Sequence, residues 1–404
     1  MAGLDRATLQ RLADGLMVAV AVTLPWSTSA TGILIVLWLL ALIPTLDWPG
    51  VRRELVTPAG GLSVLLVLLG LVGMAWADVS LLERWRGLDG FLKLLAIPLL
   101  MVQFRRSDAG MRVFTGFLAA CALLLIASLV VAVWPALPRG SSDAGVAVKS
   151  YIVQSAEFTL CAAGLLYLAV DHARAGRWSQ VAALVVAICA FLGDIFFIAT
   201  SRTTLITIPV LLLVFSLYRF GRKGLIATVV LVLVIAAAVW TSSNYVRERV
   251  DEIFTATERH QFLGHVTPSE ERLVFWTKSV GFIESAPLFG HGTGSITALF
   301  RRAAAGQLGS MGEISSNPHN QTFAVAIQLG LAGVIVLWAM WLSHLLVFRG
   351  GGLAAWIGLA VVVQNVVGSL FNSFLFDFTE GWLYVVGFGV AAGMVQRRLL
   401  DGRT

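Results

Sequence analysis

A histidine and a set of cations beside long apolar segments are the residues best suited to chemistry. His319 stands in NPHNQTFAVAIQLGLAG, residues 317–333, directly before an apolar run. The cations are Arg84, Arg86, Arg139, Lys149, Arg202 and Arg272. Ionisable groups at the edge of a bilayer are costly, so each is a functional candidate. Because guanidinium groups bind phosphate oxygens bidentately and a neutral imidazole accepts a proton, the set predicts proton abstraction beside a bound phosphate or pyrophosphate.

Two readings of these polar residues stay open. A histidine at the mouth of a helix is more often a cap or a hydrogen-bonding core residue than a base, although nearby arginines would lower its pKa and keep it neutral. Asn320 is expected to orient His319 or a bound sugar hydroxyl. His291, in FGHGTG at 289–294, is a rival base or substrate contact, as are His260 and His265. The glycines of that stretch either form an anion-binding turn or only a turn.

The acidic candidates do not suggest a metal site. Four carboxylates lie in or beside apolar runs, namely Glu157, Asp194, Asp377 and Glu380. Each is expected to serve as a partner for an arginine or as a polar cap. Because the chain has no Asp-x-Asp pair and the first outer loop, WSTSAT, has no carboxylate, we expect neither a metal nor another cofactor.

The composition indicates a membrane protein, with 58% hydrophobic residues, 13% charged residues and a mean hydropathy of +0.84. Twelve apolar runs approach the length of about 20 residues that spans a bilayer. Their cores are 13–24, 32–46, 58–76, 88–103, 110–134, 151–170, 179–198, 203–218, 224–243, 319–347, 353–371 and 381–396. Basic residues are spread over short loops, which argues against nucleic acid as a partner. The three cysteines lie in different apolar runs, which argues against a disulfide framework or a zinc site.

Arginine and lysine alternate between loops in a way that predicts both termini on the cytoplasmic side. The chain then divides into nine spans over 1–243, a large outer loop over 244–318, and three spans over 319–404. Within the loop, Thr267 to Glu270 form a capping box with proline at the first helical position. The sequence predicts an amphipathic helix from there that ends at APLFGHGTG, residues 286–294.

One motif resembles a known family. His319-Asn320, nine residues, and then Gly330-x-x-Gly333 is similar to the signature of the O-antigen ligase family. The stretch ERLVFWTKSVGFIESAPLFGHGTGS before it is similar to the loop that this family shares with the O-antigen polymerases. The likeness is close over residues 268–333 and elsewhere rests on hydropathy and span number.

The resemblance implies a GT-C-like, all-α polytopic glycosyltransferase of the Gram-negative inner membrane. It implies glycan transfer from undecaprenyl pyrophosphate to lipid A core oligosaccharide on the periplasmic side, without a metal and with inversion. His319 then corresponds to the general base, and Arg272 and Arg202 to arginines on the pyrophosphate. Substrate contacts by Arg84, Arg86, Arg139 and Lys149 rest on topology alone.

Three other functions remain possible. A polymerase of the same superfamily would accept another lipid-linked repeat unit instead of lipid A core. A protein glycosyltransferase is expected to be longer and to contain more soluble sequence. A lipid-linked sugar transporter would fit the twelve spans and the cations. A transporter needs no base, so His319 distinguishes it from the enzymes.

Overall fold

Helices form at every apolar run that the sequence predicts. The computed structural model describes residues 5–134, 136–137, 146–242 and 268–402. In chain order its helices are α1 (Arg6–Thr23), α2 (Thr28–Leu42), α3 (Trp48–Val56), α4 (Pro58–Gly73), α5 (Leu81–Leu92), α6 (Ala96–Arg106), α7 (Gly110–Val133), α8 (Tyr151–Arg174), α9 (Trp178–Phe197), α10 (Arg202–Ser242), α11 (Pro268–Ser285), α12 (Ile296–Ala304), α13 (Gln321–Val347), α14 (Leu353–Gly368) and α15 (Phe378–Leu400). Short 3₁₀ turns occupy Ile43–Thr45, Lys93–Leu95 and Gly309–Gly312. No strand occurs in these described ranges, and the prediction of an all-α polytopic membrane protein is confirmed.

The described residues form more helices than membrane spans. Among the described residues, eight helices are long and apolar enough to cross a bilayer, or nine if α3 and α4, bent by 84°, count as one span. The predicted cores 203–218 and 224–243 share α10, which departs from helical geometry at Gly221 (φ 66°, ψ −158°). The count of twelve and the GT-C-like architecture therefore remain predictions.

One face of the helix bundle carries paired arginines and carboxylates, and we call it the basic face. Arg105 Nη1 lies 2.6 Å from Glu54 Oε1, and Arg106 Nη2 lies 2.5 Å from Asp47 Oδ2. The chain end contributes as well, because Gln396 Nε2 donates to Glu54 Oε2 at 3.1 Å. Basic groups here thus hold helix ends together, in addition to any role in topology. The opposite face carries the first residues of α8, α10 and α13, and we call it the site face.

A buried histidine fixes α13 against its neighbours in the core. His344 is fully buried; its Nδ1 lies 2.5 Å from Tyr384 Oη and its Nε2 lies 2.9 Å from Ala59 O. Phe388 stacks on the ring at 3.7 Å. One tautomer of His344 satisfies both ring nitrogens. The buried ring therefore costs little, because a buried polar group is costly only when it lacks a hydrogen bond. The contact joins the last turn of α13, near the basic face, to α4 and α15.

Helix α13 is interrupted at Gly330. This residue has φ 61° and ψ −157°, a backbone conformation that favours glycine. Beyond the break, two N–H groups that would bond within a regular helix point instead at the segment after α11. Leu331 N donates to Pro287 O at 2.8 Å, and Ala332 N donates to Leu288 O at 3.3 Å. Gly330 therefore admits another backbone segment into the helix.

The same segment also satisfies the carbonyls that the break leaves free. His291 N donates to Ile327 O at 2.8 Å, and Gly292 N donates to Gln328 O at 2.9 Å. Gly294 N donates to Gln328 Oε1 at 2.8 Å. We call residues 286–294 the docked turn. Because these N–H groups bond within the protein, the structure favours the alternative in which FGHGTG forms only a turn.

The predicted loop helix exists and packs on α13. Helix α11 begins at Pro268 and ends at Ser285, directly before the predicted stop at residue 286. The capping box at its start includes Thr267, which lies outside the described residues. Phe275 and Phe300 join α11 and α12 to Ile327 of α13 in one apolar cluster. This cluster supports the segment that leads to His319.

Candidate active site

His319 is held in an unusual backbone conformation directly before α13. Its φ of 53° is the only positive value at a non-glycine residue in the described ranges. Its backbone N–H donates to Asn317 Oδ1 at 2.8 Å, and the ring of Phe275 stacks on the imidazole at 5.8 Å. Trp276 Nε1 donates to His319 O at 3.4 Å. Left-handed backbone at a non-glycine residue costs on the order of 1–3 kcal/mol and clusters at functional sites.

A chain of side-chain amides orients the imidazole. His319 Nδ1 lies 3.1 Å from Asn372 Oδ1, which also accepts from Asn317 Nδ2 at 2.8 Å. On its other side, Asn372 Nδ2 donates to Asp377 Oδ2 at 3.1 Å. A carboxylate can only accept hydrogen bonds, so the NH₂ end of the Asn372 amide must face Asp377. The Asn372 oxygen therefore faces His319, which places the proton on Nδ1 and leaves the lone pair on Nε2.

The surroundings keep His319 neutral. Burial lowers the pKa of the imidazole, and the positive charge of Arg272 lowers it further. The hydrogen bond with Asn372 opposes these two effects and is smaller than either. Since an ordinary histidine titrates near about 6.5, the neutral form dominates at pH 7. A neutral ring with a free Nε2 is chemically a base.

Arg272 lies within electrostatic range of both His319 and Arg202. Burial lowers the pKa of the Arg272 guanidinium, the hydroxyl of Tyr151 opposes this, and the charge of Arg202 adds to it. These effects require the groups to be close, although the guanidinium stays protonated at any accessible pH. Arg272 is half-buried on α11, and Arg202 is exposed at the first turn of α10. The site therefore combines one base with two fixed positive charges.

Helix starts add to this positive character. Helices α8 and α10 begin at Tyr151 and Arg202 on the site face, and Ser155 Oγ bonds Thr204 Oγ1 at 2.9 Å between them. Asn320 caps the start of α13, where its Oδ1 accepts from Phe323 N at 3.1 Å. The first turn of a helix carries partial positive charge. Three helix starts near the two arginines favour an anionic ligand.

Asn320 does not touch the imidazole. Its Oδ1 caps α13 and its Nδ2 donates to Leu370 O at 3.1 Å. The expectation that Asn320 orients His319 is therefore wrong, because Asn372 occupies that position. Asn320 instead fixes the start of α13 against the segment after α14.

Two of the other predicted cations make structural contacts, and a third is exposed. Arg84 Nη1 donates to Met74 O at 2.8 Å, which ties α5 to the end of α4, and Arg86 is exposed on α5. Lys149 Nζ donates to Leu24 O and, at 2.9 Å, to Thr379 Oγ1. Substrate contacts by these three residues stay predictions. Arg139, His260 and His265 lie outside the described residues.

His291 has a local partner. Its Nε2 lies 2.8 Å from Phe282 O and 3.1 Å from Ser285 Oγ, so the ring closes the end of α11 onto the docked turn. We therefore assign His291 to the turn and not to substrate. Its backbone serves the same purpose through the bond to Ile327.

Three of the four predicted acidic residues are buried, and Asp377 is partly buried. Asp194 accepts from Ser128 Oγ at 2.5 Å and from Gln154 Nε2 at 2.9 Å, far along α9. Glu157 and Glu380 both act electrostatically on Lys149. Asp377 is the carboxylate of the amide chain, and burial raises its pKa to about 6 against the effect of Lys93. In the part of the chain that the structure describes, no group of three His, Cys, Asp or Glu residues could hold a metal.

Sequence reasoning missed Asn372, Asn317 and Tyr151. Asn372 lies in the segment between α14 and α15 and meets His319 only because α13 and α14 run antiparallel. Asn317 stands two residues before His319, and only this closeness in the sequence could have indicated its role. An isolated asparagine or tyrosine at a span boundary carries no pattern that would single it out.

Comparison with known proteins agrees with this arrangement. Residues 187–338 match the family model described as O-Antigen ligase. The matched range includes Arg202, Arg272, His319 and the docked turn. No curated protein matches the chain. Residues 187–338 are therefore similar to the O-antigen ligase family, the family that the motif around His319 indicated.

Proposed function

We propose that this protein is an O-antigen ligase of the Gram-negative inner membrane. It transfers a glycan from undecaprenyl pyrophosphate to a hydroxyl of lipid A core oligosaccharide on the periplasmic side. The reaction inverts the anomeric centre and needs neither metal nor nucleotide. The observation that carries the proposal is a neutral His319 beside Arg272, with Nδ1 engaged by Asn372 and Nε2 left as the basic atom.

His319 acts as the general base. Nε2 takes the proton of the acceptor hydroxyl as its oxygen attacks the anomeric carbon, opposite the departing diphosphate. A positioned base typically contributes about 10² to 10⁴ in rate. The amide chain supports this role because Asn372 holds the ring in one tautomer, with Asp377 fixing the amide. The proton then leaves from the imidazolium to solvent.

Arg272 and Arg202 stabilise the leaving group. As the bond between the anomeric carbon and the diphosphate oxygen breaks, the electron pair goes to that oxygen. Preorganised cations stabilise charge that develops in a site of low dielectric. The starts of α8 and α10 add partial positive charge at the same face. No further activation is required, because the diphosphate is already a good leaving group.

A reconstituted transfer assay tests the proposal. Purified protein is given lipid-linked donor and lipid A core, without ATP and with a chelator of divalent metals, and joined product is measured. We expect His319→Ala to lower turnover by about 10² to 10⁴ while donor binding persists. The matched control is His172→Ala, because His172 lies in the last turn of α8 on the basic face. Turnover that survives in His319→Ala would remove the base assignment.

The same assay separates the ligase from its nearest rival. A polymerase forms product from donor alone, because a second lipid-linked repeat unit is its acceptor. A ligase forms product only when lipid A core is added. Elongated lipid-linked product with donor alone would replace the ligase proposal with the polymerase, and the chemistry of His319 would be unchanged.

A further inference from the structure

The docked turn joins α4 to α13, and α13 is long and apolar enough to cross the membrane. Thr293 N donates to Gly73 O at 3.0 Å and Thr293 Oγ1 donates to Gly70 O at 2.6 Å, both on α4. The bonds to Pro287 and Leu288 carbonyls fix the other end of the turn to α13 beyond Gly330. The turn therefore has a definite depth relative to both helices.

The lengths of two helices give that depth. Helix α13 rises about 24 Å from Val347 to Leu331. Val347 lies two residues before Arg349, and Leu331 is where the turn docks. Helix α4 rises about 22 Å from Pro58, near the basic face, to Gly73. A hydrocarbon core is about 30 Å thick. With Val347 and Pro58 at the inner limit of the hydrocarbon region, both helices place the turn below its outer limit, and any tilt lowers the turn further.

The tip of the turn has the surface of a lipid-facing segment. Leu288 is 59% exposed and Phe289 is 64% exposed. They continue the exposed apolar face of α13, where Leu331 and Ile335 are more than half exposed. A polar loop of a soluble layer would not place its two largest apolar side chains outward beside a membrane-spanning surface.

The backbone of the turn is also suited to hydrocarbon. Irregular backbone is tolerated at membrane depth only where the protein satisfies its polar groups. Here the N–H groups of residues 290–294 all donate within the protein, and Gly290 O accepts from Trp76 Nε1 at 3.2 Å. The glycines make this possible, since a Cβ at Gly290 or Gly292 would overlap Leu329 N or the Ala77 backbone.

We propose that the docked turn is a re-entrant wedge whose Leu288 and Phe289 insert into the acyl chains of the outer leaflet. The sequence alone placed this segment in the large outer loop over 244–318. The wedge is independent of the glycan chemistry, because its occupant is bilayer lipid and its geometry rests on α4 and α13. It gives the glycines of the turn a structural role and no catalytic one.

Site-directed spin labelling measures the depth directly. Leu288→Cys and Phe289→Cys are labelled with a nitroxide in a Cys189→Ser background, because Cys189 is the exposed cysteine of the described residues. The protein is reconstituted in phosphatidylglycerol and phosphatidylethanolamine vesicles. Molecular oxygen concentrates in hydrocarbon, whereas a nickel chelate stays in water. The ratio of the two collision rates reports whether each label lies in lipid.

Two reference positions bracket the result. Val186→Cys is the lipid reference, since Val186 is 68% exposed on the membrane-spanning helix α9, and Leu308→Cys is the water reference at 91% exposed. We expect labels at 288 and 289 to match the lipid reference and to exceed the water reference several-fold in oxygen-to-nickel ratio. A ratio equal to that at 308 would overturn the wedge. Low accessibility to both reagents, as when a second protein copy covers the tip, would overturn it too.

Discussion

Exchanging the amide and the carboxylate beside His319 is the sharpest test of how the site works. In Asn372→Asp combined with Asp377→Asn, the total charge is unchanged and one amide still faces one carboxylate. The negative charge moves from the far end of the chain to the position 3.1 Å from His319 Nδ1. The single change Asn372→Asp would instead place two carboxylates together, and one of them would hold a proton.

The expected shift follows from the geometry. An opposite charge within about 4–6 Å raises a histidine pKa by roughly 1–3 units. His319 would then titrate at a higher pH than in the wild type, and its neutral fraction at pH 7 would fall. Raising the pH restores the neutral base. The rate profile should therefore move to higher pH by about 1–3 units, and the rate should recover as the pH is raised further.

Asn372→Ala serves as the matched comparison. It removes the hydrogen bond that selects the tautomer, which is worth about 0.5–1.5 kcal/mol, so the rate should fall about 2- to 13-fold. It introduces no charge, so the acidic limb should not move upward. Initial rates of glycan transfer from pH 5 to 10 distinguish the two variants. An exchanged variant whose profile coincides with that of the wild type would show that Asn372 does not contact the reacting ring.

Three further outcomes follow from the same contacts. Arg272→Ala should lower kcat/KM for the lipid-linked donor at least about 10-fold, whereas Arg349→Ala, on the basic face, should change it less than about 2-fold; equal losses would remove the pyrophosphate assignment. In the wild type, transfer should decline on acidification with a midpoint below about 6.5, because the pKa of His319 is lowered and only its neutral form accepts a proton; a midpoint above 7 in a pH titration would contradict this. Gly330→Ala should lower the thermal midpoint, because an alanine at positive φ costs about 1–2 kcal/mol and its Cβ would meet the Leu288 carbonyl, whereas Gly351→Ala meets open space and should leave the midpoint unchanged in a melting assay.

The helices and their ends could be predicted from the sequence, because hydropathy and turn chemistry act locally. The loop helix α11 ends at Ser285, where Ala286 and Pro287 predicted a stop. His319 stood out because an imidazole before a membrane span is costly without a purpose. The approach of Arg272 to it was implied only by the family resemblance, since 46 intervening positions separate them in the chain. Local rules could not supply that contact.

The partners of His319 could not be predicted for a topological reason. Asn372 reaches the ring only after α13 descends and α14 returns, so the contact depends on how two long helices pack. Asp377 was expected to serve as a cap or an arginine partner. It instead holds the Asn372 amide, and Lys93 Nζ donates to its backbone carbonyl at 2.7 Å. A side chain whose partner comes from packing leaves no periodic signal in the sequence.

The fixed spacing of the motif has a mechanical explanation in this structure. Nine helical residues separate Asn320 from Gly330, a rise of about 13 Å in the first part of α13. At the upper end, Asn320 caps the helix and His319 faces the amide chain; at the lower end, Gly330 admits the docked turn that follows α11. Since α11 carries both Arg272 and the Phe275 ring that stacks on His319, the turn fixes the far end of the helix that supplies the cation. Inserting or deleting one residue between the two ends would rotate the helix by about 100° and separate the histidine from its arginine, so the spacing is as much a part of the site as the residues themselves.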